Sequence, residues 1–288
     1  MRSKLFVPGV RPELFAKALA GDADALSFDL EDSVPAQGKE EARANVAGFL
    51  RSPPLLAAAK VIVVRVNALD TPYFEADLLA VACPGVALIN LPKVESAEDI
   101  RAAVAVLERV EAGNGTNAPI RLLATIETPR GLRLAAQIAS AHPRVAGLQL
   151  GLADLFEPHG IDRHDPANLH ATLYAMRMAA AEAGVFAWDA AFADLGNAAG
   201  FRAEAMISRR LGYVGKSCIH PSQVALANAV FLPDAEQIAV ARRIVAASRE
   251  AEARGRGAFL VDGQMIDLPF LKRAEAIVAA VDSSSGPQ

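Results

Sequence analysis

The sequence lacks the features that mark several large protein classes. Its two cysteines, Cys83 and Cys218, form no disulfide framework and no zinc-binding pattern, and both are expected to be small core residues. No apolar run approaches the roughly 20 residues that a transmembrane helix needs. The apolar part of the N-terminal segment Met1–Gly9 is too short for a signal peptide. We therefore expect a cytoplasmic protein with no membrane partner.

Charge and short motifs exclude further classes. The net charge is -4 and the sequence pI is about 5.8, whereas a nucleic-acid-binding protein usually carries a basic surface. No Gly-x-Ser-x-Gly motif is present, so a serine nucleophile of the α/β-hydrolase type is not expected. No glycine-rich phosphate-binding fingerprint follows an early strand, which argues against a dinucleotide-binding fold.

Eight short apolar runs alternate with stretches that have helical spacing, among them Ala97–Glu111 and Leu169–Ala183. The runs are Lys4–Val7, Ala25–Asp29, Val61–Val66, Val86–Leu91, Leu122–Ile126, Gly147–Leu150, Val185–Ala187 and Tyr213–Lys216. Strands that alternate with helices pair in parallel through right-handed crossovers. Eight such units predict an α/β fold, a closed (β/α)8 TIM barrel. An open doubly wound sheet is the alternative, and the missing phosphate fingerprint weakens it.

The chain continues beyond the eighth unit. We predict a barrel over residues 1–230 and a C-terminal helical extension over 231–288 that acts as a lid. Within the extension, Asp234–Arg254 has helical character and a last helix begins near Pro269, a favourable first-turn residue. Between these helices, Asp262-Gly263 predicts a hairpin turn.

Two acidic residues follow strand-like runs. Glu127 comes directly after Arg121–Ile126, and Asp154 lies shortly after Val145–Leu150. In a parallel barrel, the C-terminal ends of the strands carry the catalytic residues. Two carboxylates from neighbouring strands suit a hard cation such as Mg²⁺, which keeps open positions for a substrate. The alternative is that each acid caps the helix that follows; the pair taken together favours the metal.

Further charged residues end the second, third and fourth strands. The second strand ends in three acids, Asp29, Glu31 and Asp32. Some of them are expected to cap the helix that follows, and at least one is expected to hydrogen-bond a water molecule on the metal. Arg65 suits a bidentate contact to a substrate carboxylate, and an ion pair with the three acids is the alternative. Lys93 is expected in an ion pair. Together these groups indicate reversible C–C cleavage that yields a small 2-keto acid, held by the metal.

Seven different short motifs follow one another along the chain. They are Arg2–Gly9, Asp29–Val34, Val64–Asn67, Leu91–Glu95, Ile126–Gly131, Gly151–Leu155 and Gly215–Gln223. With these motifs, which span nearly the whole chain, the sequence resembles the citrate lyase β-subunit and malyl-CoA lyase family, the CoA-ester lyases. Each motif is weak alone, and the ordered set is specific. The fold that the resemblance implies is a (β/α)8 barrel.

The resemblance also implies roles for individual residues. Glu127 and Asp154 would hold Mg²⁺, Arg65 would bind the carboxylate of the 2-keto acid, and Asp29 and Glu31 would line the metal-bound water and the substrate.

The resemblance further implies that the substrate is a CoA thioester, which would bind across the barrel mouth. Its phosphates would lie near Arg2, Lys4 or Arg11. Asp267 in the tail would act on the acetyl carbon, in the active site of a neighbouring subunit. A homo-oligomer, a trimer or a hexamer, is therefore expected. As an alternative, Asp267 caps the last helix.

Three functions follow from these observations. The favoured one is an Mg²⁺-dependent lyase acting on a malyl-, citramalyl- or citryl-type CoA thioester. A class II aldolase that uses free hydroxy-keto acids is the second, and the extended tail favours the CoA-dependent enzyme over it. The third is a non-catalytic or carrier-dependent subunit of a larger lyase complex.

Overall fold

The structure is a computed structural model that describes residues 1–114 and 118–284. The chain divides into two compact units, Met1–Phe231 and Leu232–Gln288. The sequence also predicts a surface loop over Gly113–Asn117 and disorder over residues 283–288. Residues 115–117 and 285–288 lie outside the described ranges, whereas residues 113–114 and 283–284 are helical, so the two predictions are wrong there.

The first unit is built on a parallel sheet that closes into a barrel. Among the described residues its strands are β1 Ser3–Pro8, β2 Ala25–Asp29, β3 Val61–Arg65, β4 Leu88–Leu91, β5 Arg121–Ile126, β6 Val145–Leu150, β7 Phe186–Trp188 and β8 Lys216–Cys218. From β1 to β7 each strand pairs in parallel with the next, and β8 pairs in parallel with β1. A parallel bridge between Asp189 and Lys216 joins the last two strands. The (β/α)8 barrel predicted from the sequence is confirmed.

Helices surround this barrel. They are α1 Phe15–Ala20, α2 Lys39–Leu50, α3 Pro53–Leu56, α4 Phe74–Val81, α5 Ala97–Asn114, α6 Pro129–Arg133, α7 Ala135–Ala139, α8 Leu152–Phe156, α9 Pro166–Glu182, α10 Ala198–Arg210 and α11 Pro221–Phe231. Several begin with the expected capping chemistry. Thr128 accepts a hydrogen bond from Gly131 N with Pro129 in the first turn, and Asp165 accepts from Ala167 N with Pro166 next to it.

Strand positions differ most from the sequence prediction at the eighth strand. The run Tyr213–Lys216 leads into the strand, and the pairing with β1 starts only at Lys216, which lies opposite Ser3. Before that point Val214 N donates to Ala187 O, so the preceding segment is held to β7 instead. The apolar run therefore marks the approach to β8, and β8 itself carries the polar residues Lys216 and Ser217.

The hydrophobic core lies between the sheet and the helices, whereas the inside of the barrel is largely polar. On β1, Leu5 and Val7 pack into the outer core. Alternate residues point to opposite faces of a strand, so Lys4 faces inward. There its Nζ donates to Gln149 Oε1 on β6, a strand that is not adjacent to β1. The two side chains therefore meet across the barrel interior.

The second unit is two helices and a hairpin. They are α12 Ala235–Ala253, β9 Phe259–Val261, β10 Gln264–Ile266 and α13 Leu268–Ser284. Asp234 and Gln237 form a reciprocal capping box at the start of α12. Asp262 and Gly263 have φ values of 51° and 81°, the left-handed pair that a tight two-residue hairpin requires, which confirms the predicted turn.

In the part of the chain that the structure describes, no single helix is both long enough and apolar enough to cross a membrane. The consecutive helices Pro221–Phe231 and Ala235–Ala253 meet the criterion only when taken together.

Candidate active site

Two adjoining cavities open where the strands of the barrel end. The first has a volume of about 540 Å³ and is lined by residues that follow β3, β4, β5 and β6. Both predicted metal-binding carboxylates, Glu127 and Asp154, line it. The second cavity, about 510 Å³, lies towards β2 and β3 and shares Ala68, Asp70 and Lys93 with the first. Both cavities therefore lie at the C-terminal ends of the strands, which is where the sequence predicted the active site.

Glu127 is a buried carboxylate that the main chain holds in place. It directly follows β5 and is 3% exposed. Its Oε1 accepts a hydrogen bond of 2.6 Å from the main-chain N–H of Lys93. Its Oε2 lies so close to the main chain of Gly151 that a Cβ atom added there would be 2.4 Å away. Oε1 is therefore held by a main-chain hydrogen bond from the loop after β4, and Oε2 packs against the main chain that follows β6.

Burial and the negative charge of Asp154 together raise the pKa of Glu127 to about 8. Asp154 is exposed in the first turn of α8, directly beyond β6. Two carboxylates that face one cavity repel each other, and the buried one then holds its proton unless a cation is present.

These two residues fit a divalent cation with few protein ligands. The described ranges contain no group of three or more His, Cys, Asp or Glu arranged to hold a metal. Mg²⁺, however, is commonly held by one or two carboxylates and keeps several waters or substrate oxygens. The charge of such an ion would offset the repulsion that raises the pKa of Glu127. The donor set therefore suits Mg²⁺ with open positions.

The acids after β2 form an ion network with Arg65. Asp29 accepts two hydrogen bonds of 2.7 Å from Arg65, and Glu31 lies 2.9 Å from its Nη1. Asp32 accepts a longer bond of 3.2 Å. Burial alone would raise the pKa of Asp29, but the charge and hydrogen bonds of Arg65 outweigh it and hold the pKa below its ordinary value. The ion pair that the sequence offered as the alternative for Arg65 is thus formed, and its contact with a substrate remains a prediction.

Lys93 bridges the two cavities and has a left-handed backbone, with φ of 54°. A non-glycine residue in this region is uncommon and is found where surrounding contacts enforce it. Its Nζ lies 2.7 Å from Glu31 Oε1 and 3.6 Å from Asp32 Oδ1, in agreement with the expected ion pair. The strained backbone turns the N–H of the same residue towards Glu127. Lys93 therefore contacts both the acid cluster and Glu127, the predicted metal-binding carboxylate.

The structure corrects two of the residues predicted to contact CoA. Lys4 is 1% exposed inside the barrel, where its Nζ lies 4.8 Å from the centre of the Phe6 ring. Arg2 precedes β1 and pairs with Asp24, which precedes β2, so it lies at the opposite face from the strand ends. Lys4 points into the barrel because side chains alternate along β1, and Arg2 lies at the N-terminal ends of the strands. Neither residue is therefore at the barrel mouth. Arg11, exposed after β1 and paired with Glu13, is on the correct face and remains a prediction.

Asp267 lies between β10 and α13 in the second unit. Its Oδ1 is buried and, among the described residues, has no hydrogen-bond partner. A buried carboxylate oxygen without a hydrogen-bond partner is costly in a folded protein, and such groups are found at strained or catalytic positions. Asp267 directly precedes α13, and its main-chain oxygen accepts a hydrogen bond from Leu271 N, so the residue holds the N-cap position, although Oδ1 has no main-chain donor within those residues. Both the capping role and the catalytic role of Asp267 remain predictions.

Two acidic lining residues, Asp70 and Asp99, were missed by the sequence reasoning. Asp70 lies in the loop after β3 and lines both cavities. An acid a few residues beyond a strand end is the signal that would have identified it, because the loops at this face form the site.

Comparisons with known proteins agree with this geometry. The profile of the HpcH/HpaI aldolase/citrate lyase family matches residues 2–221. The chain is 36% identical to the L-malyl-CoA/beta-methylmalyl-CoA lyase of Cereibacter sphaeroides strain ATCC 17025, over 99% of this chain and 95% of that protein. It is 35% identical to citrate lyase subunit beta of Escherichia coli K12, over 98% and 94% of the two chains.

Solved structures give the same result. The chain resembles CitE from Mycobacterium tuberculosis in complex with magnesium, acetoacetate and coenzyme A, with a TM-score of 0.75, 34% identity, and coverage of 98% and 100% of the two chains. It also resembles the citrate lyase beta subunit from M. tuberculosis complexed with oxaloacetate and magnesium, with a TM-score of 0.66, 33% identity, and coverage of 81% and 97%. The chain therefore belongs to the HpcH/HpaI aldolase/citrate lyase family, and its enzyme class is that of a carbon–carbon lyase.

Proposed function

We propose that this protein is an Mg²⁺-dependent CoA-ester lyase that reversibly cleaves a 3-hydroxyacyl-CoA into acetyl-CoA and a 2-keto acid. One observation carries the proposal: Glu127 and Asp154 face one cavity at the strand ends, and the pKa of the buried one is raised to about 8. Relatives named as malyl-CoA lyase and citrate lyase subunit beta, and a relative complexed with magnesium and coenzyme A, support it.

Glu127 and Asp154 would hold the metal, and Lys93 N–H and the Gly151 backbone would keep Glu127 oriented. Bound there, Mg²⁺ would supply Lewis-acid polarisation of the keto-acid carbonyl. Arg65 would anchor the keto-acid carboxylate by exchanging its contact with Asp32. That contact is its longest at 3.2 Å, and the Asp32 side chain is 51% exposed, so Asp32 is the easiest partner to displace.

Proton transfer on the two-carbon fragment needs a further group. We propose Asp267, whose buried Oδ1 lacks a hydrogen-bond partner within the described chain, as the residue that exchanges the proton at the acetyl carbon. In a homo-oligomer it would act in the site of a neighbouring subunit, and sedimentation of the purified protein measures the number of subunits. Arg11 is proposed to contact the CoA phosphates.

The test is isothermal titration of the purified protein with glyoxylate, pyruvate and oxaloacetate, with and without Mg²⁺. Release of acetyl-CoA from malyl-, citramalyl- and citryl-CoA is measured in parallel. We expect Mg²⁺-dependent binding of at least one keto acid, lost in Glu127→Gln and retained in Glu182→Gln, an exposed glutamate at the end of α9. Asp267→Asn should retain that binding while thioester cleavage falls by about 100-fold or more, within the range of general acid–base effects.

Binding without turnover in the unmodified chain would instead favour a carrier-dependent subunit. Turnover of free hydroxy-keto acids without CoA would favour the aldolase. If no keto acid binds in the presence of Mg²⁺, the lyase proposal is wrong.

A further inference from the structure

The ring of Phe6 faces the guanidinium of Arg65, the group that the proposed function assigns to the carboxylate of the keto acid. Cζ of Arg65 lies over this ring, 5.0 Å from its centre. We infer that Phe6 is a positioning residue for substrate binding: its ring supports one face of the guanidinium and keeps Nη1 directed at the incoming carboxylate. The inference rests on the proposed function, because Phe6 would act only through Arg65.

Strand register explains why the two side chains meet. Across β1, β2 and β3, the residues Pro8, Asp29 and Arg65 lie at one level of the sheet. Phe6 lies two residues before Pro8, so its side chain points inward one level nearer the N-terminal ends of the strands, as that of Lys4 does another level down. Arg65 therefore reaches across β2 towards β1, and its guanidinium comes to lie over the ring.

The hydrogen bonds of Arg65 are all made at the edge of its guanidinium, where the N–H groups are. Asp29 accepts from Nε and Nη2 at 2.7 Å each. Glu31 and Asp32 share Nη1, at 2.9 and 3.2 Å. The faces of the planar group carry no donor and stack on aromatic rings instead. Phe6 supplies this contact, which no acid can supply.

Support for the face matters most when the substrate binds. In the proposed exchange Asp32 leaves Nη1, and the remaining bonds to Asp29 and Glu31 lie at the guanidinium edge. Such bonds fix the group within its own plane, whereas a ring beneath it limits tilting of that plane towards the barrel interior. Because displacements of about 1 Å are enough to weaken a directed contact, removal of the ring should weaken the bond to the carboxylate.

A second basic group contacts the same ring. Nζ of Lys4 lies 4.8 Å from the ring centre and donates a hydrogen bond to Gln149 Oε1. Burial, and then the positive charge of Arg65, lower the pKa of Lys4 well below its ordinary value, which favours the neutral amine. A neutral amine does not compete with a guanidinium for the negative face of a ring. The electrostatic attraction of the ring is therefore available to Arg65.

The experiment is calorimetric titration of the full chain with Mg²⁺ alone, and then with glyoxylate, pyruvate and oxaloacetate at saturating Mg²⁺. Phe6→Leu and Phe6→Met both remove the ring and keep an apolar side chain, so a second variant is available if one folds poorly. Phe6→Tyr keeps the ring. Arg65→Lys tests the residue through which Phe6 would act.

Phe49→Leu is the matched control. Phe49 is half-buried, as Phe6 is, and its ring contacts those of Phe15 and Phe28 in the outer core. The same chemical change is therefore made at a ring that supports no guanidinium.

We expect the two ringless variants to bind the keto acid about tenfold more weakly, the size expected for loss of one desolvated contact between a cation and a ring. Their Mg²⁺ affinity should be unchanged, because Glu127 and Asp154 stay in place. Phe6→Tyr and Phe49→Leu should bind the keto acid as the unmodified protein does. In the condensation with acetyl-CoA, the loss should appear in KM for the keto acid and not in kcat.

Unchanged keto-acid binding in the ringless variants, or an equal loss in Phe6→Tyr, overturns the inference and leaves the lyase function standing. A parallel loss of Mg²⁺ affinity would show a general structural role and overturns it as well. If Arg65→Lys binds the keto acid as tightly as the unmodified protein, Arg65 is not the anchor and the inference is wrong with it. Absence of Mg²⁺-dependent binding of all three keto acids overturns the proposed function itself.

Discussion

The carboxylate of Glu127 packs directly on the main chain of Gly151: a Cβ atom at Gly151 would lie 2.4 Å from Glu127 Oε2 and 2.6 Å from its Cβ. Contacts this short force one of the two groups to move. The N–H of Gly151 also donates a hydrogen bond to Ile126 O across the β5–β6 pair, and this bond fixes the main chain of Gly151. The side chain of Glu127 is therefore the part that must shift.

Gly151→Ala should weaken Mg²⁺ binding by on the order of 10- to 100-fold, the usual effect of disturbing the groups that orient a metal ligand. Calorimetric titration with Mg²⁺ measures it. Gly48→Ala is the matched control, because Gly48 lies on the exposed side of α2 with nothing within 4 Å of an added Cβ. Equal Mg²⁺ affinity in the two variants would show that Glu127 tolerates the displacement or does not bind the metal.

The raised pKa of Glu127 predicts a pH dependence for the metal-free protein. The folded state keeps a proton on Glu127 up to about pH 8, whereas the unfolded chain releases it near the ordinary value of 4.5. Between these values the folded state holds more protons, so the free energy of unfolding falls as the pH rises. Each tenfold change in proton affinity corresponds to about 1.4 kcal/mol, so the loss by pH 8 is of the order of a few kcal/mol.

Urea unfolding of the metal-free protein between pH 5 and 8.5 measures this loss. Glu127→Gln carries no titrating group at that position, so its stability should fall less over the same range, while Glu182→Gln should follow the unmodified protein. Added Mg²⁺ should restore stability at pH 8 in the unmodified protein and in Glu182→Gln, and not in Glu127→Gln. Parallel curves for Glu127→Gln and the unmodified protein would show that Glu127 does not titrate in this window.

The sequence was sufficient to predict the strand count, the barrel, and the positions of Glu127 and Asp154, because alternating runs and strand-end acids are local patterns. It could not tell inward-facing from accessible lysines. Lys4 precedes an exposed loop in the sequence, yet the alternation of β1 points it into the barrel, where Gln149 of β6 meets it. That contact depends on barrel closure, which brings together residues about 145 positions apart.

The same limit applies to Lys93 and Arg65. Their charge partners could be proposed from the sequence, because ionic residues at neighbouring strand ends meet. The positive φ of Lys93 could not be predicted, since it is imposed by the approach of the β4 loop to Glu127. Which of the two proposed roles of Arg65 applies depends on the number of acids around one guanidinium, and only the folded structure supplies that number.

Lys216 illustrates a buried cation that is fully paired. Its Nζ is 2.8 Å from Asp189 Oδ2 and 2.6 Å from Glu204 Oε1, and Arg163 binds Glu204 from the other side at 2.6 Å. Burial alone would lower the pKa of Lys216, but the two carboxylates outweigh it and raise the pKa. This network ties the loop after β6 to β8 and α10.

Lys216→Met should destabilise the protein by about 3–5 kcal/mol, because it leaves two buried carboxylates without their shared cation. Urea unfolding at pH 7 measures the loss, and Lys17→Met, on the exposed side of α1, is the control and should change little. Recovery of much of the loss in the double variant Lys216→Met, Asp189→Asn would show that the unpaired charge, and not the loss of packing, causes it. A loss below about 1 kcal/mol would contradict the argument.

Lys4 should respond in the opposite direction, although it is equally buried. Its Nζ has Gln149 Oε1 and the rings of Phe6 and Trp188 as neighbours, and no carboxylate is within ion-pair distance among the described residues. Burial, and then the charge of Arg65, lower its pKa well below the ordinary value. A buried amine without an ion-pair partner is unfavourable, and methionine has a similar shape and fits irregular apolar surroundings.

Lys4→Met should therefore stabilise the protein by on the order of 1 kcal/mol. The gain should grow as the pH falls, because acid charges the amine of the unfolded chain and not that of the folded one. Unfolding of Lys4→Met and the unmodified protein at pH 6, 7 and 9 checks both the sign and the trend. A destabilised Lys4→Met would mean that the bond to Gln149 outweighs the cost of burying the amine.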